Sequence, residues 1–396
     1  MDTTRTGAGR LYDVGALDGL VGSMVCVTVV FPERRLILAP LENLRRTPPK
    51  TRNGPFALTS GPPLASIAQM PTAHVPYLLV VGPENHGVTR YSTDLAAALG
   101  WAWGSLPASP PERTHAHVTD RIYGATLEEA ADHVEALARS TRLTITLHDV
   151  PQQSDGTTFT RRVDAYRRFV AAAEGVVVNS HHEASLVEEH LGSPAEDLRV
   201  IPLGTSRDYS AHPRELGEPH IPTVLISGFV YPGKGHLEVI QAAAEAAAAG
   251  FARPAVIAVG APSAGHEREA EVLARQASGL GVDFHVTGFL ADDEYRRHLT
   301  SHGVPVAAHQ HISASRSILE WGELGRKVLV AESRYSREMA GLRPGTMTLF
   351  GTHELALRLE AAWSQPESTW LAESTPLAPT LADVADDYRD WWRELA

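Results

Sequence analysis

From Pro76 onward, short apolar runs alternate with helical stretches, and this rhythm restricts the fold more than any other feature of the chain. YLLVV (77–81) precedes a glycine-containing loop and VTRYSTDLAAALG, which reads as a helix ending at Gly100. THAHVT, LTITLHDV (143–150) and VVVNS read as further strands, separated by the helical LEEAADHVEALARS and FTRRVDAYRRFVAAAEG. HHEASLVEEHLG and LRVIPLG complete this first series. A second begins at TVLISGF and continues through the alanine-rich HLEVIQAAAEAAAAG, PAVIAVG, HEREAEVLARQASGLG, VDFHVTGF, DEYRRHLTSHG, VPVAAH, SILEWGELG and KVLVAES. Strands alternating with helices predict parallel sheets joined by crossover helices. In such sheets a ligand lies beyond the carboxyl ends of the strands, so the loops that leave strands are the ones to search.

Between the two series, TSRDYSAHPRELGEPHIP breaks the rhythm with prolines and charges. The expected organisation is an extension at 1–75, a Rossmann-like domain at 76–210, a second at 211–375 and a returning helix at 376–396. A chain of 396 residues exceeds one ordinary core, which agrees with two α/β domains. In the extension, MVCVTVVF and RRLILAP suggest a hairpin turned at PERR, followed by a Pro/Gly-rich linker. The tail helix carries Tyr388, Trp391 and Trp392, which require a surface to pack on.

A net charge of −12 argues against a sequence-independent grip on nucleic acid. Cys26 is the only cysteine, so no intramolecular disulfide is possible and a reducing compartment fits. The apolar run LVGSMVCVTVVF has 12 residues, too few to span a bilayer, and the acidic residues Asp2, Asp13 and Asp18 are unlike a secretory leader. The expectation is a cytoplasmic protein without a transmembrane segment.

Four loops could carry chemistry. In GFVYPGKGH, Gly228, Gly233 and Gly235 permit a tight strand-to-helix loop that places Lys234 near a helix N-terminus. The spacing is not that of a P-loop, and it fits a surface turn with an exposed lysine as well as an anion site. GPENHGVTRY lacks a dinucleotide fingerprint but offers His86 and Gly87 at another helix start, where a simple turn is the alternative. ITLHDV ends a strand with His148 and Asp149. HQHISASRSILEWGELG places small hydroxyl residues before a helix containing Glu320 and Glu323, of which Glu323 is expected to be solvated. His115 and His117 have metal-like spacing but no evident third ligand, so a structural role is expected there and no metal is required. Arg161, Arg162, Arg167 and Arg168 read as a solvated helix face.

In this order the pieces resemble the retaining glycosyltransferases of family 4, across most of 77–396. GFVYPGKG is similar to that family's diphosphate loop, which places Gly233, Lys234 and Gly235 on the phosphates. VVVNSHHEASLV and VIPLG resemble the segments closing its first domain. VTGFLADDEYRRHL resembles the stretch framing the nucleobase, which puts Gly288, Phe289 and Leu290 beside a base. RSILEWGELGRKVLVAES puts Glu320 on the ribose-binding carboxylate, and NHGVTRY resembles the first glycine-rich loop. His148 falls on a histidine close to the transferred sugar.

The resemblance implies a GT-B fold: two doubly wound domains facing a cleft, with a C-terminal helix crossing back to the first. It also implies metal-independent transfer of a hexose-like sugar from a nucleotide-diphosphate donor, without a cofactor. The acceptor would be a small molecule, glycan or lipid. Three positions depart from the pattern: Phe229 replaces the diphosphate-binding arginine, Ile312 replaces the first glutamate of a pair, and SAS replaces a glycine-rich turn. Arg316 or Arg326 could restore the lost charge, and His311 or Ser313 the lost polar contact. The helix starts at Gly235 and Ser315 would assist Lys234 in stabilising the leaving diphosphate. Two other functions fit the same pieces, a non-catalytic nucleotide-sugar-binding relative and a GT-B epimerase; a dehydrogenase fits less well.

Overall fold

A computed structural model describes residues 75–206, 221–263 and 265–396. The hairpin and linker expected before Pro76 lie outside the described residues. The first sheet contains β1 (Tyr77–Leu79), β2 (Trp103–Gly104), β3 (Arg113–Val118), β4 (Arg142–Leu147), β5 (Gly175–Val178) and β6 (Arg199–Val200). Its order is β2-β1-β3-β4-β5-β6 and its pairings are parallel. The crossover segments include α1 (Gly87–Leu99), α2 (Asp120–Tyr123), α3 (Leu127–Ser140), α4 (Phe159–Ala172) and α5 (His181–Leu186).

The two faces of this sheet have different chemistry because side chains alternate along a strand. Ala116, Val118, Leu143, Ile145 and Leu147 enter an apolar core with α3 and α4. The opposite positions on β3 and β4 carry His115, His117, Thr144 and Thr146, all buried.

The second sheet contains β7 (Thr223–Ser227), β8 (Ala255–Val259), β9 (Asp283–Val286), β10 (Val304–Ala307), β11 (Val328–Ala331) and β12 (Met347–Phe350). Its order is β12-β11-β10-β7-β8-β9, again parallel. Helices α6 (His236–Ala247), α7 (Glu267–Gly279), α8 (Asp292–Leu299), α9 (Arg316–Glu323), α10 (Arg334–Leu342) and α11 (Leu355–Ser364) flank it. The alanines of α6 serve close packing: Ala242, Ala243 and Ala246 share a core with Val224, Val256 and Val306. Arg326 is a correction to its expected place by the ligand. It is fully buried, lies over the Trp370 ring at 4.2 Å, and donates to the carbonyls of Leu299, Ser301 and Gly303. Its charge serves the fold.

The last helix, α12 (Leu381–Glu394), packs beside α1 on the polar face of the first sheet. Tyr388, Trp391 and Trp392 are buried among Leu78, Tyr91, Leu95 and Val177, which supplies the surface that the tail required. Tyr388 OH lies 2.7 Å from Thr146 Oγ1. Replacing Tyr388 by phenylalanine removes that bond while keeping the ring. Urea unfolding should show a loss of about 1 kcal/mol, the net scale of one buried hydrogen bond.

Both sheets reverse strand order once, and there the flanking crossovers diverge to leave a crevice. In the first sheet the reversal falls between β1 and β3, and in the second between β7 and β10.

Candidate active site

The loops leaving those reversal points, together with the loop after β4, line one cleft of about 1000 Å³. The first sheet contributes His86 and Gly87 at the start of α1, Asp120 after β3, and His148 and Asp149 after β4. The second contributes Tyr231 and Gly233 after β7, Gln310, His311 and Ala314 after β10, and Arg316 on α9.

The loop after β7 turns through positive φ at Gly228, Gly233 and Gly235. Gly235 caps α6, and a Cβ there would stand 2.1 Å from the carbonyl oxygen of Ala308. This close approach brings Lys234 inward, leaving it only 5% exposed. Its ammonium has no ion pair or hydrogen bond among the described residues; it lies 5.7 Å from the Tyr231 ring centre. Burial pushes its pKa down to about 8, against an opposing pull from Glu320. Nearby, His236 and His309 are held neutral by burial and by Lys234. His236 Nε2 and His309 Nδ1 have no hydrogen-bond partner among the described residues. A buried cation with no direct ion pair among the described residues, beside a helix start, is poised for an anionic ligand.

Glu320 accepts a hydrogen bond from Tyr295 OH at 3.1 Å, and burial raises its pKa. Glu323, expected to be solvated, is buried instead. It accepts from Arg316 Nη1 at 2.7 Å and from the Ser206 N–H at 2.6 Å. Arg316 therefore reaches the cleft with its charge already answered. Ser315 spends its hydroxyl capping Ile318 N and its own N–H on Tyr335 OH, so neither group is free in this conformation. Ser313 donates to Glu183 and accepts from Val150 N at 3.0 Å.

Ile312 packs among Leu225, Ile318 and Trp321, so the position of the missing glutamate belongs to the core. Phe229 is 42% exposed and Phe289 73%. Gly288, Phe289 and Leu290 follow β9 and do not line the cleft described above.

On the facing wall, His86 caps α1 through Nδ1, which accepts from Val88 N at 3.3 Å. His148 is 6% exposed; its Nε2 lies 2.9 Å from His117 Nδ1, and burial lowers its pKa to about 3. Asp149 adopts a left-handed backbone, φ 54°, and its carboxylate accepts from Arg162 at 2.8 Å. Arg162 is not solvated as expected. It is buried and pairs with Asp120 at 3.2 Å, Asp149 at 2.8 Å and Asp155 at 2.7 Å. Arg161, Arg167 and Arg168 face solvent more openly, but each has an acidic partner. The helix is thus not a free basic patch.

Tyr91, which lines the cleft, and Glu183, buried behind Ser313, escape a reading of motifs. Tyr91 accepts from Gly204 N at 3.1 Å and stands edge-on to His117 and His148. Glu183 is fully buried, accepts from Asn179 N at 2.6 Å, and has its pKa pushed up to about 7 by burial. Only the helical period of α1 and the serine cap before α5 hinted at their positions; nothing hinted at their partners. Among the described residues no cluster of three or more His, Cys, Asp or Glu is arranged to hold a metal ion. Among them, too, no helix is long and apolar enough to cross a membrane.

No protein-family model and no curated protein sequence matches this chain. Solved structures do. HepE of Anabaena, crystallised with UDP and glucose, is 18% identical with a TM-score of 0.59, covering 80% of this chain and 99% of its own. Sucrose-phosphate synthase from Thermosynechococcus elongatus is 14% identical with a TM-score of 0.56, over 81% and 98%. WaaG, a glycosyltransferase involved in lipopolysaccharide biosynthesis, is 15% identical with a TM-score of 0.52, over 80% and 95%. Two parallel six-stranded sheets facing a cleft, with these likenesses, give this chain the GT-B fold.

Proposed function

We propose that this protein is a glycosyltransferase of the retaining family 4 type, acting in the cytoplasm. It would move a hexose-like sugar from a nucleotide-diphosphate donor to a hydroxyl acceptor. The observation that carries the reading is Lys234, a buried ammonium with no ion pair among the described residues, directly behind Gly233 in the second-sheet wall of a large cleft whose facing wall holds His148 and Asp149. That HepE was crystallised with UDP-glucose supports the choice of donor class.

In this reading the bond between the anomeric carbon and the diphosphate oxygen breaks, and negative charge grows on the leaving diphosphate. Lys234 and the start of α6 stabilise that charge without further reorganisation. The acceptor oxygen forms the new bond, and its proton can pass to the departing phosphate oxygen. Retention requires attack from the face that the diphosphate leaves. His148, neutral and fixed by its neighbours, hydrogen-bonds the sugar. Glu320, already held by Tyr295, receives the ribose. The acceptor would meet the wall of Asp120, Asp149 and Asp155, where three carboxylates share Arg162. That excess of negative charge favours a neutral or cationic polyhydroxyl acceptor over a phosphorylated one.

One observation favours a second reading, a nucleotide-sugar-binding protein without turnover. Ile312 and Phe229 supply no polar group where the family has a glutamate and an arginine. Calorimetric titration with UDP-, GDP-, ADP- and dTDP-sugars, followed by product analysis, separates the two. Binding of one nucleotide class, retained in EDTA and accompanied by transfer or slow donor hydrolysis, is the expected result. Binding without turnover would select the second reading, and conversion of the donor sugar without an acceptor would indicate an epimerase. No binding to any member of the panel would remove the donor assignment.

A further inference from the structure

β3 carries two histidines on one face, and their environments differ. His115 is satisfied at both ring nitrogens, by Thr144 Oγ1 at 2.9 Å and Thr146 Oγ1 at 3.0 Å. Among the described residues His117 has one hydrogen-bond partner. Its Nδ1 meets His148 Nε2 at 2.9 Å, while its Nε2 is sealed from solvent with no hydrogen-bond partner among the described residues. His148 itself borders the cleft, and its Nδ1 also lacks a partner among those residues.

Burial disfavours the protonated form of both rings, so each is a neutral imidazole carrying one N–H. A hydrogen bond between two ring nitrogens requires one proton between them, which leaves two arrangements. In the first, His148 Nε2 is the donor. His117 must then carry its own proton on Nε2, a donor buried without an acceptor, and His148 offers a bare Nδ1 to the cleft. In the second, His117 Nδ1 is the donor. Its Nε2 is then only a buried lone pair, and His148 carries its proton on Nδ1. Orphaned buried N–H groups are rarer than under-satisfied acceptors, which selects the second arrangement.

We propose that His117 is a positioning residue that holds His148 in the Nδ1–H tautomer, so that His148 meets a ligand in the cleft as a hydrogen-bond donor. The ligand atom is then an oxygen with a free lone pair. Naming it a donor-sugar hydroxyl or a diphosphate oxygen rests on the transferase reading; the tautomer does not.

The test is long-range ¹H–¹⁵N correlation of the histidine rings in uniformly labelled full-length wild-type protein without ligand. The two signals are assigned by their loss in His148→Gln and in His117→Phe or His117→Asn. A protonated Nδ1 and bare Nε2 on His148 is the expected result. A protonated Nε2 on His148 overturns the proposal, whether or not the protein transfers sugar. Turnover of the nucleotide sugar adds a second readout. His117→Phe should lower kcat roughly tenfold, the scale of one hydrogen bond, with KM changed by less than about twofold. His117→Asn, whose amide N–H can stand where Nδ1–H stood, should restore most of that loss. Equal loss in both variants, or loss in neither, overturns the positioning role.

Discussion

Replacing Lys234 by alanine is expected to weaken binding of the nucleotide sugar on the order of 100-fold, while the fold loses no stability. The two halves of this expectation have separate causes. A charge-assisted contact to a diphosphate in a dry loop has the strength to produce such a loss. In the free protein, however, the same ammonium is buried with no ion pair among the described residues, and burial, partly opposed by Glu320, pushes its pKa down to about 8. Removing it relieves that desolvation, so thermal unfolding of Lys234→Ala or Lys234→Met should be unchanged or slightly raised in temperature. A structural lysine would give the opposite pattern, with lower stability and intact binding. The pH dependence has a definite sign. Below about pH 8 the free protein holds the cation that the diphosphate needs. Above it, binding must first protonate a neutral amine, and affinity should fall by up to about tenfold per pH unit. A wild-type affinity in Lys234→Ala, or an affinity flat from pH 7 to 10, would take the phosphate away from this loop.

The strand–helix alternation made every strand but β2 and β12 legible, because buried parallel strands read as apolar or alternating runs and their crossovers are periodic. It also made the search region legible, since a reversal of strand order opens a crevice wherever it falls. His86, Gly87, His148, Asp149, Gly233, His311 and Arg316 all line the cleft. Electrostatic bookkeeping was less legible, because charges pair across sequence distances that carry no local signal. Arg162 on α4 finds Asp120 forty-two positions earlier, and Glu323 turns from solvent to Arg316 and the Ser206 N–H. A helical period marks which face of α4 is apolar, but it cannot show that an arginine on the border will be drawn inward by three carboxylates. The role of Ser313 was hidden for the same reason. Its hydroxyl is committed to Glu183, a residue whose neighbours look like an ordinary capped helix.

The glycines of the lysine loop give the other large effect, and they can be ranked before any is replaced. Gly279, the last residue of α7, has ordinary helical geometry and open space where a Cβ would project. Gly279→Ala should stabilise the protein by about 0.5–1 kcal/mol through the unfolded chain. Gly233 has φ 87°, and a Cβ there would meet the His311 ring at 3.4 Å, a side chain that can move. Its replacement should cost about 1–2 kcal/mol, mostly backbone strain. Gly235 has the same φ, but its Cβ would stand 2.1 Å from the carbonyl oxygen of Ala308, at the end of β10. Neither the loop nor the strand can yield without opening the strand reversal that forms the cleft. Strain and overpacking together predict a loss of about 2–5 kcal/mol for Gly235→Ala, and loss of nucleotide-sugar binding with it. Urea unfolding of the three variants, with titration of those that fold, tests the order. If Gly235→Ala were as stable as Gly233→Ala and still bound donor, the close approach of this loop to β10 would not be what turns Lys234 inward.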